Sequence, residues 1–340
     1  MIETPTCFIL GAGASVDAGF LVGRDLRDMI YRDLLHHDHQ IKTDSQHCER
    51  KRRSDSYQDS IHCMLRLAGH DNEVIRDFGT RLRASGSPSV DFFLMSSPSF
   101  MELGKAAIAA ALMKLENEDE LLYQDRHPHA NLPDGHLYAS RGWYSVLWEL
   151  LYEGCESSPD DLVSKNDVSF ITFNYERSLE HFLHVRLRNT YESCTAAHFA
   201  KLFPVVHVHG AIGAYPTVGS SGPHRQYAPG FQRHSVSAYS EEMHIAPDKI
   251  PPEVCREIAA RLGSAARLVF LGFAYAAQNL DKLPMRPNRY KELIAGRTFM
   301  DERDLTRSEN ELNGRVIVDN PPLYLSPGQG CIEILRTYVV

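Results

Sequence analysis

Seven cysteines are spread through the 340 residues, at Cys7, Cys48, Cys63, Cys155, Cys194, Cys255 and Cys331, and no two of them form a C-x-x-C pair. That spacing excludes a zinc knuckle and suits reduced thiols in a reducing compartment. Long apolar runs are missing as well. No stretch approaches the roughly 20 residues that span a bilayer, and the first residues read as a strand rather than as a basic and then apolar export signal. A cytoplasmic protein with no membrane contact is expected. Positive charge is in deficit, with 36 Lys and Arg against 44 Asp and Glu and a net charge of −8. Bulk electrostatics therefore argue against nucleic-acid binding. The one basic run, Arg50-Lys51-Arg52-Arg53, reads as a solvated loop.

What is present is ordinary for a folded chain. Hydrophobic residues make up 43% and charged residues 24%, close to the soluble average, so wholesale disorder is not expected. The length allows a large core, as one elaborated α/β domain or as two smaller units.

The most informative stretch is Phe8 to Val16. Phe8, Ile9 and Leu10 read as a buried strand that empties into Gly11-Ala12-Gly13-Ala14-Ser15. The glycines permit a sharp turn and let a ligand approach the backbone. From Gly19 onward Leu21, Leu26, Met29, Ile30 and Leu34 recur at helical spacing. Strand, turn and helix would bring backbone N–H groups and the positive end of a helix dipole to one point, where a pyrophosphate is stabilised. The dinucleotide fingerprint G-x-G-x-x-G is incomplete, with Val16 at its third glycine and the next glycine delayed to Gly19. Plain packing of a strand against a helix is the alternative.

Residues 36–60 read as a polar excursion, where His36, His37 and His39 lack a Cys or carboxylate partner at the spacing of a structural metal site. Helical patterns follow, at Ile61 to Leu67, Val74 to Leu82, Leu103 to Leu115 and Trp143 to Leu151. The block 36–155 is too long for a simple crossover and is expected to be a helical subdomain inserted in the sheet. Further strands are expected at Val168 to Phe173, Val205 to Val208, Leu268 to Phe273 and Val316 to Val318, with a helix at Ser178 to Leu187. Residues 213–240, rich in Gly, Pro, Ser and Tyr, read as a loop able to cover a site. The fold class is α/β, a Rossmann-like doubly wound parallel sheet.

Three polar motifs then fall at the carboxyl ends of strands, where open parallel sheets bind ligands: Gly11 to Ser15, Thr172-Phe173-Asn174-Tyr175-Glu176, and His209-Gly210. Each has a plainer account. Asn174 could cap the next helix in competition with Glu176 or Ser178, His209 could be a satisfied core histidine, and His207 reads as one. Asp91 and Asn279 could be helix caps, and Gly272 could serve only a tight strand exit.

Together these residues resemble the sirtuin-like family of NAD-consuming proteins, which carries a GAGxS turn, a T-x-N strand end and a strand ending in His-Gly, in that order. The likeness extends through Ser89 to Leu94, Ile171 to Leu183 and Ala266 to Leu283 with its LGF turn, and is nearest to the stand-alone NAD hydrolases of bacterial anti-phage defence. The resemblance implies that 1–340 is one catalytic domain, that Asn174 orients the nicotinamide ribose and a nucleophile, and that His209 is the base. It places NAD against Gly11, Ala12, Gly13, Ser15, Arg24, Thr172, Gly272, Phe273 and Asn279. It also implies a homo-oligomer controlled by a separate subunit such as a ring-forming ATPase. Deacylase sirtuins differ in carrying a zinc module with two cysteine pairs and a Phe that shields the ribose intermediate. Here the pairs are missing and Gly23 stands at the Phe position, so no zinc is expected and water is the expected acceptor. A protein deacylase and a non-catalytic NAD or ADP-ribose sensor are the alternatives, and a dehydrogenase is disfavoured by Val16.

Overall fold

The computed structural model describes residues 1–43, 60–122, 142–215, 225–227, 236–245, 249–285, 290–297, 302–313, 315, 323–327 and 330–339. Every residue of strand β1 (Thr6–Leu10) is buried. Successive strand side chains point to opposite faces, so Phe8 and Leu10 enter one hydrophobic core while Cys7 and Ile9 enter another. Strands β2 (Val168–Thr172), β3 (Val205–His207), β4 (Arg267–Leu271), β5 (Glu292–Arg297) and β6 (Leu323–Pro327) complete a parallel sheet in the order 3-2-1-4-5-6. In β4, Val269 and Leu271 share the core of Phe8, and Leu268 and Phe270 share that of Ile9. Burial on both faces explains why β1 and β4 read as nearly continuous apolar runs rather than alternating ones.

Eight described helices connect β1 to β2: α1 (Gly23–Thr43), α2 (Ile61–Leu67), α3 (Asn72–Ala84), α4 (Val90–Ser96), α5 (Met101–Leu115), α6 (Glu118–Leu122), α7 (Trp143–Tyr152) and α8 (Pro159–Lys165). Side chains of Ser60, Asp71, Ser89 and Ser158 accept backbone N–H bonds at the starts of α2, α3, α4 and α8, which stops each helix there. Helix α5 is buried almost all round, from Ala106 to Met113. Ile75, Phe78 and Ala107 belong to the same core as Phe8 and Leu10, so the helical block shares the sheet's interior.

The rest follows in alternation: α9 (Ser178–Thr190) and α10 (Ala196–Leu202) before β3, α11 (Val236–Glu241) and α12 (Pro252–Ser264) before β4, α13 (Ala277–Leu280) before β5, α14 (Glu302–Asn313) before β6, and α15 (Cys331–Ile334). Ile258 and Leu262 of α12 and Leu312 of α14 cover the second face. No described helix is long and apolar enough to cross a membrane.

Several sequence expectations are corrected. The helix expected from Gly19 starts at Gly23: a 3₁₀ segment (Ala12–Ala18) ends at Gly19, which is in the left-handed region at φ 86°, and residues 20–22 form neither helix nor strand. Helix α1 runs on through residue 36, so the inserted block has no boundary there. Strand β5 was not anticipated, while the strand expected at Val316 to Val318 lies outside the described residues, as do Arg50 to Arg53, Cys48 and the side chains of His37 and His39. Part of the 213–240 loop is α11.

Candidate active site

Register brings four strand ends into line. Leu10 pairs with both Thr172 and Leu271, and Thr172 pairs with His207, so the residues that follow all emerge at one edge. The strand order reverses at β1, which is where such a sheet opens a crevice for a ligand. A cavity of about 250 Å³ lies there, lined from the sheet by Gly11, Ala12, Ser15, Phe173 to Glu176, His209, Phe273, Ala274, Gln278 and Asn279, and from the helical side by Phe20, Leu21, Gly23, Leu26, Ser89 to Phe92 and Leu112. Its volume falls just below the roughly 300–1,000 Å³ usual for small-molecule pockets.

The glycine turn has a different task from the one its sequence suggested. The amides of Gly11, Gly13 and Ala14 donate to Leu271 O (3.0 Å), Gly272 O (3.0 Å) and Gly11 O (2.9 Å), so these three do not point at a ligand. A Cβ at Gly11 would lie 2.6 Å from Gly272 O, and one at Gly272, whose φ is +57°, would lie 1.9 Å from Ala14 N. The glycines let the turns after β1 and β4 interlock. Gly11, Ala12, Ser15, Phe273 and Asn279 line the cavity; Gly13, Arg24, Thr172 and Gly272 are not among its lining residues, and Arg24 is exposed.

Asn174 is the best-held polar group of the site. Its Nδ2 donates to Gly11 O (3.1 Å) and to Ser15 Oγ (2.7 Å), and its backbone N donates to Thr172 Oγ1 (3.1 Å). Ser15 Oγ in turn donates to Glu176 Oε1, and Glu176 Oε2 accepts from Ser178 N at 2.6 Å. A backbone carbonyl can only accept, so the amide orientation is fixed with both hydrogens bound and Oδ1 left as the acceptor for the cavity. The capping alternative falls to Glu176, which satisfies the start of α9. Burial pushes the Glu176 carboxyl up, against the bonds from Ser15 and Ser178. Thr172 therefore acts from behind, and a cavity of about 10 Å³ beside it, also lined by Ser15, Glu176 and Glu180, has room for one water.

His209 is buried across the cavity between the rings of Phe173 (centroids 5.6 Å) and Tyr175 (6.0 Å). Lys282 Nζ lies 3.3 Å from its Nε2; an ammonium only donates, so Nε2 is the acceptor and the ring proton sits on Nδ1. The backbone demands the glycine that follows: Gly210 has φ +71°, and a Cβ there would lie 1.9 Å from Glu242 O. Tyr175 OH donates to Asp91 Oδ1 at 3.0 Å. Ser89, not Asp91, caps α4, and Asp91 lines the cavity with its carboxyl pushed up by burial, against the Tyr175 bond and the Lys282 charge. Asn279 is likewise inside α13 rather than its cap.

Sequence reasoning missed the parts played by Glu176 and Lys282. Glu176 was visible only as an acid near the Asn, and Lys282 as one lysine among many, since neither role follows from spacing. Among the described residues no group of three or more His, Cys, Asp or Glu could hold a metal ion.

The fold and the crevice define a Rossmann-type parallel α/β protein with a polar site at its topological switch point. Compared with known proteins, the chain matches no family model and no curated protein.

Proposed function

We propose that this chain is an NAD glycohydrolase of the sirtuin-like type, cleaving the nicotinamide–ribose bond to give nicotinamide and ADP-ribose. The observation that carries the reading is that Asn174, with its side-chain amide orientation fixed, and His209 share one cavity at the sheet's switch point. The chemistry asks for little more. The nicotinamide ring of NAD is cationic, so when the C–N bond breaks its electron pair returns to the ring and a neutral molecule leaves without a general acid. The ribose carbon becomes oxocarbenium-like and is met by water, whose oxygen forms the new C–O bond.

Asn174 Oδ1 accepts from a ribose hydroxyl or from that water, and His209 takes the water's proton at Nε2 once Lys282 Nζ gives up its hydrogen bond to that nitrogen, then passes it to solvent. A base so placed contributes on the order of 10²- to 10⁴-fold in rate. Gly23 lines the cavity where a deacylase carries a shielding Phe, which leaves room for water as the acceptor. The cavity is small for a whole dinucleotide, so it suits the nicotinamide ribose, with the adenosine half running over the turn after β4 near Phe273 and Asn279. In the cell the activity would deplete NAD in anti-phage defence, under the control of oligomer assembly or a separate subunit such as a ring-forming ATPase.

The test is incubation of the purified chain with NAD, with and without an acetylated peptide, following nicotinamide, ADP-ribose and O-acyl-ADP-ribose. Peptide-independent nicotinamide release, lost in Asn174→Ala and His209→Ala, is the expected result. Release that requires the peptide would make the chain a deacylase, and NAD binding with no release, alone or with a co-encoded partner, would make it a sensor.

A further inference from the structure

His207 ends β3 two residues before His209, and nothing in the proposed chemistry uses it. Its Nδ1 lies 2.8 Å from the backbone oxygen of Asn174, and its Nε2 lies 2.6 Å from Glu180 Oε1 on α9. A peptide carbonyl accepts and cannot donate, and a carboxylate oxygen also accepts. The ring meets both only with a hydrogen on each nitrogen, as an imidazolium paired to Glu180. The pair is nearly sealed, with side-chain exposures of 14% for His207 and 7% for Glu180.

Asn174 is the residue this pair touches. Its amide nitrogens are tied to Gly11, Ser15 and Thr172, and the bond from His207 adds a hold on its carbonyl. Removing one ring proton would not relax both bonds equally. The charge-assisted bond to Glu180 is the stronger, so the remaining proton would stay on Nε2, and the bare Nδ1 lone pair would face the Asn174 carbonyl lone pairs at 2.8 Å. That repulsion is relieved by moving residue 174.

We propose that His207, held doubly protonated by Glu180, is a positioning residue that fixes Asn174 through its backbone carbonyl and releases it when the ring loses a proton. The proposal rests on the reading of Asn174 as the group that orients the ribose. Burial on its own would push the His207 ring down. The charge and hydrogen bond of Glu180, the Asn174 carbonyl and the charge of Glu176 outweigh it and carry the ring upward. Those two carboxylates come from α9 and the segment leading into it, while β2 brings only the uncharged Thr172 into register with His207.

The experiment uses the full chain, labelled with ¹⁵N at histidine and asparagine. His207, assigned by its loss in His207→Gln, is expected to show both ring nitrogens protonated at neutral pH and to titrate above the ordinary histidine range. The side-chain amide of Asn174, assigned by its loss in Asn174→Asp, is expected to shift with the same midpoint. In turnover, kcat for NAD should fall about tenfold or more through that midpoint with a smaller change in KM, as expected when a reacting geometry loosens.

Glu180→Gln supplies a second arm that does not depend on His207→Gln folding well. A Gln amide can donate to Nε2 and keep the ring proton on Nδ1, so the Asn174 carbonyl keeps its bond and the alkaline fall in kcat should disappear. A single-tautomer neutral His207 at neutral pH, an Asn174 signal that ignores the titration, or an unchanged alkaline fall in Glu180→Gln would each overturn the proposal. If the wild-type chain releases no nicotinamide, the hydrolase reading fails by itself, and the two resonances still decide whether His207 holds Asn174.

Discussion

Asn174 shows why residue type alone does not make a site. The sequence marked it as an amide at a strand end, equally able to cap a helix. Its two N–H bonds to Gly11 O and Ser15 Oγ turn it into a fixed acceptor, and a change of one atom tests this. Asn174→Asp sets a carboxylate oxygen against the Gly11 carbonyl. It should cost about 1–3 kcal/mol in urea unfolding, the usual penalty for a buried polar group left without its partner. Nicotinamide release should fall by about 10²-fold or more. The glycines divide in the same residue-by-residue way. Gly272→Ala meets Ala14 N at 1.9 Å with φ +57°, and should lower stability by upwards of about 3 kcal/mol or yield no folded protein. At Gly23 the nearest atom to an added Cβ is 3.5 Å away, so Gly23→Ala should stay within about 0.5 kcal/mol of wild type by the same measurement. Gly272 belongs to the LGF turn of the resemblance and Gly23 stands where deacylases carry a Phe, and the sequence offered no way to tell that the first is interlocked and the second open.

Elements were most legible where burial makes them apolar throughout. Strands β1, β2 and β4 stand out because two cores enclose them, and α5 because it is buried on nearly every side. Strand β5 reads ELIAGR, with a charge at each end and a glycine inside, and becomes a strand through its pairing with β4 and β6. The helical spacing seen from Gly19 begins four residues before the helix, because Phe20 and Leu21 are apolar for packing and cavity lining in an irregular connection rather than as part of a helix. The link between β3 and α9 makes its own prediction. His207 has a folded pKa above its unfolded one, so its ion pair with Glu180 contributes stability that is full below the ordinary histidine range and is lost as pH rises through the raised folded value. The Tm advantage of wild type over His207→Gln should therefore shrink from slightly acid to alkaline pH. An advantage that grows with pH would contradict the assignment.

Across the whole molecule a buried ionic cluster joins segments far apart in the chain. Glu116, at the end of α5, pairs with Arg225 and lies 3.7 Å from Arg177, all three nearly fully buried. Arg177 also donates to the carbonyls of Ala214 (3.1 Å) and Arg225 (2.7 Å), tying the segment after β3 to the start of α9 beside Glu176. Glu116→Ala would leave two buried guanidiniums without their counter-charge, and should cost about 3–5 kcal/mol in urea unfolding. Asp77→Ala, which removes the exposed partner of Arg81 within α3, should cost under about 1 kcal/mol. Nothing in the spacing of residues 116, 177 and 225 announces that cluster. Local pattern was sufficient for the α/β class, the strands with two buried faces, and the three motifs at strand ends, because periodicity and turn chemistry act within a few residues. Which amide hydrogens are bound, which glycines interlock, and that Glu176, Lys282 and His207 surround Asn174 and His209 depended on the folded chain. Hydrogen bonds act over about 3 Å, and parallel pairing brings together residues more than a hundred positions apart.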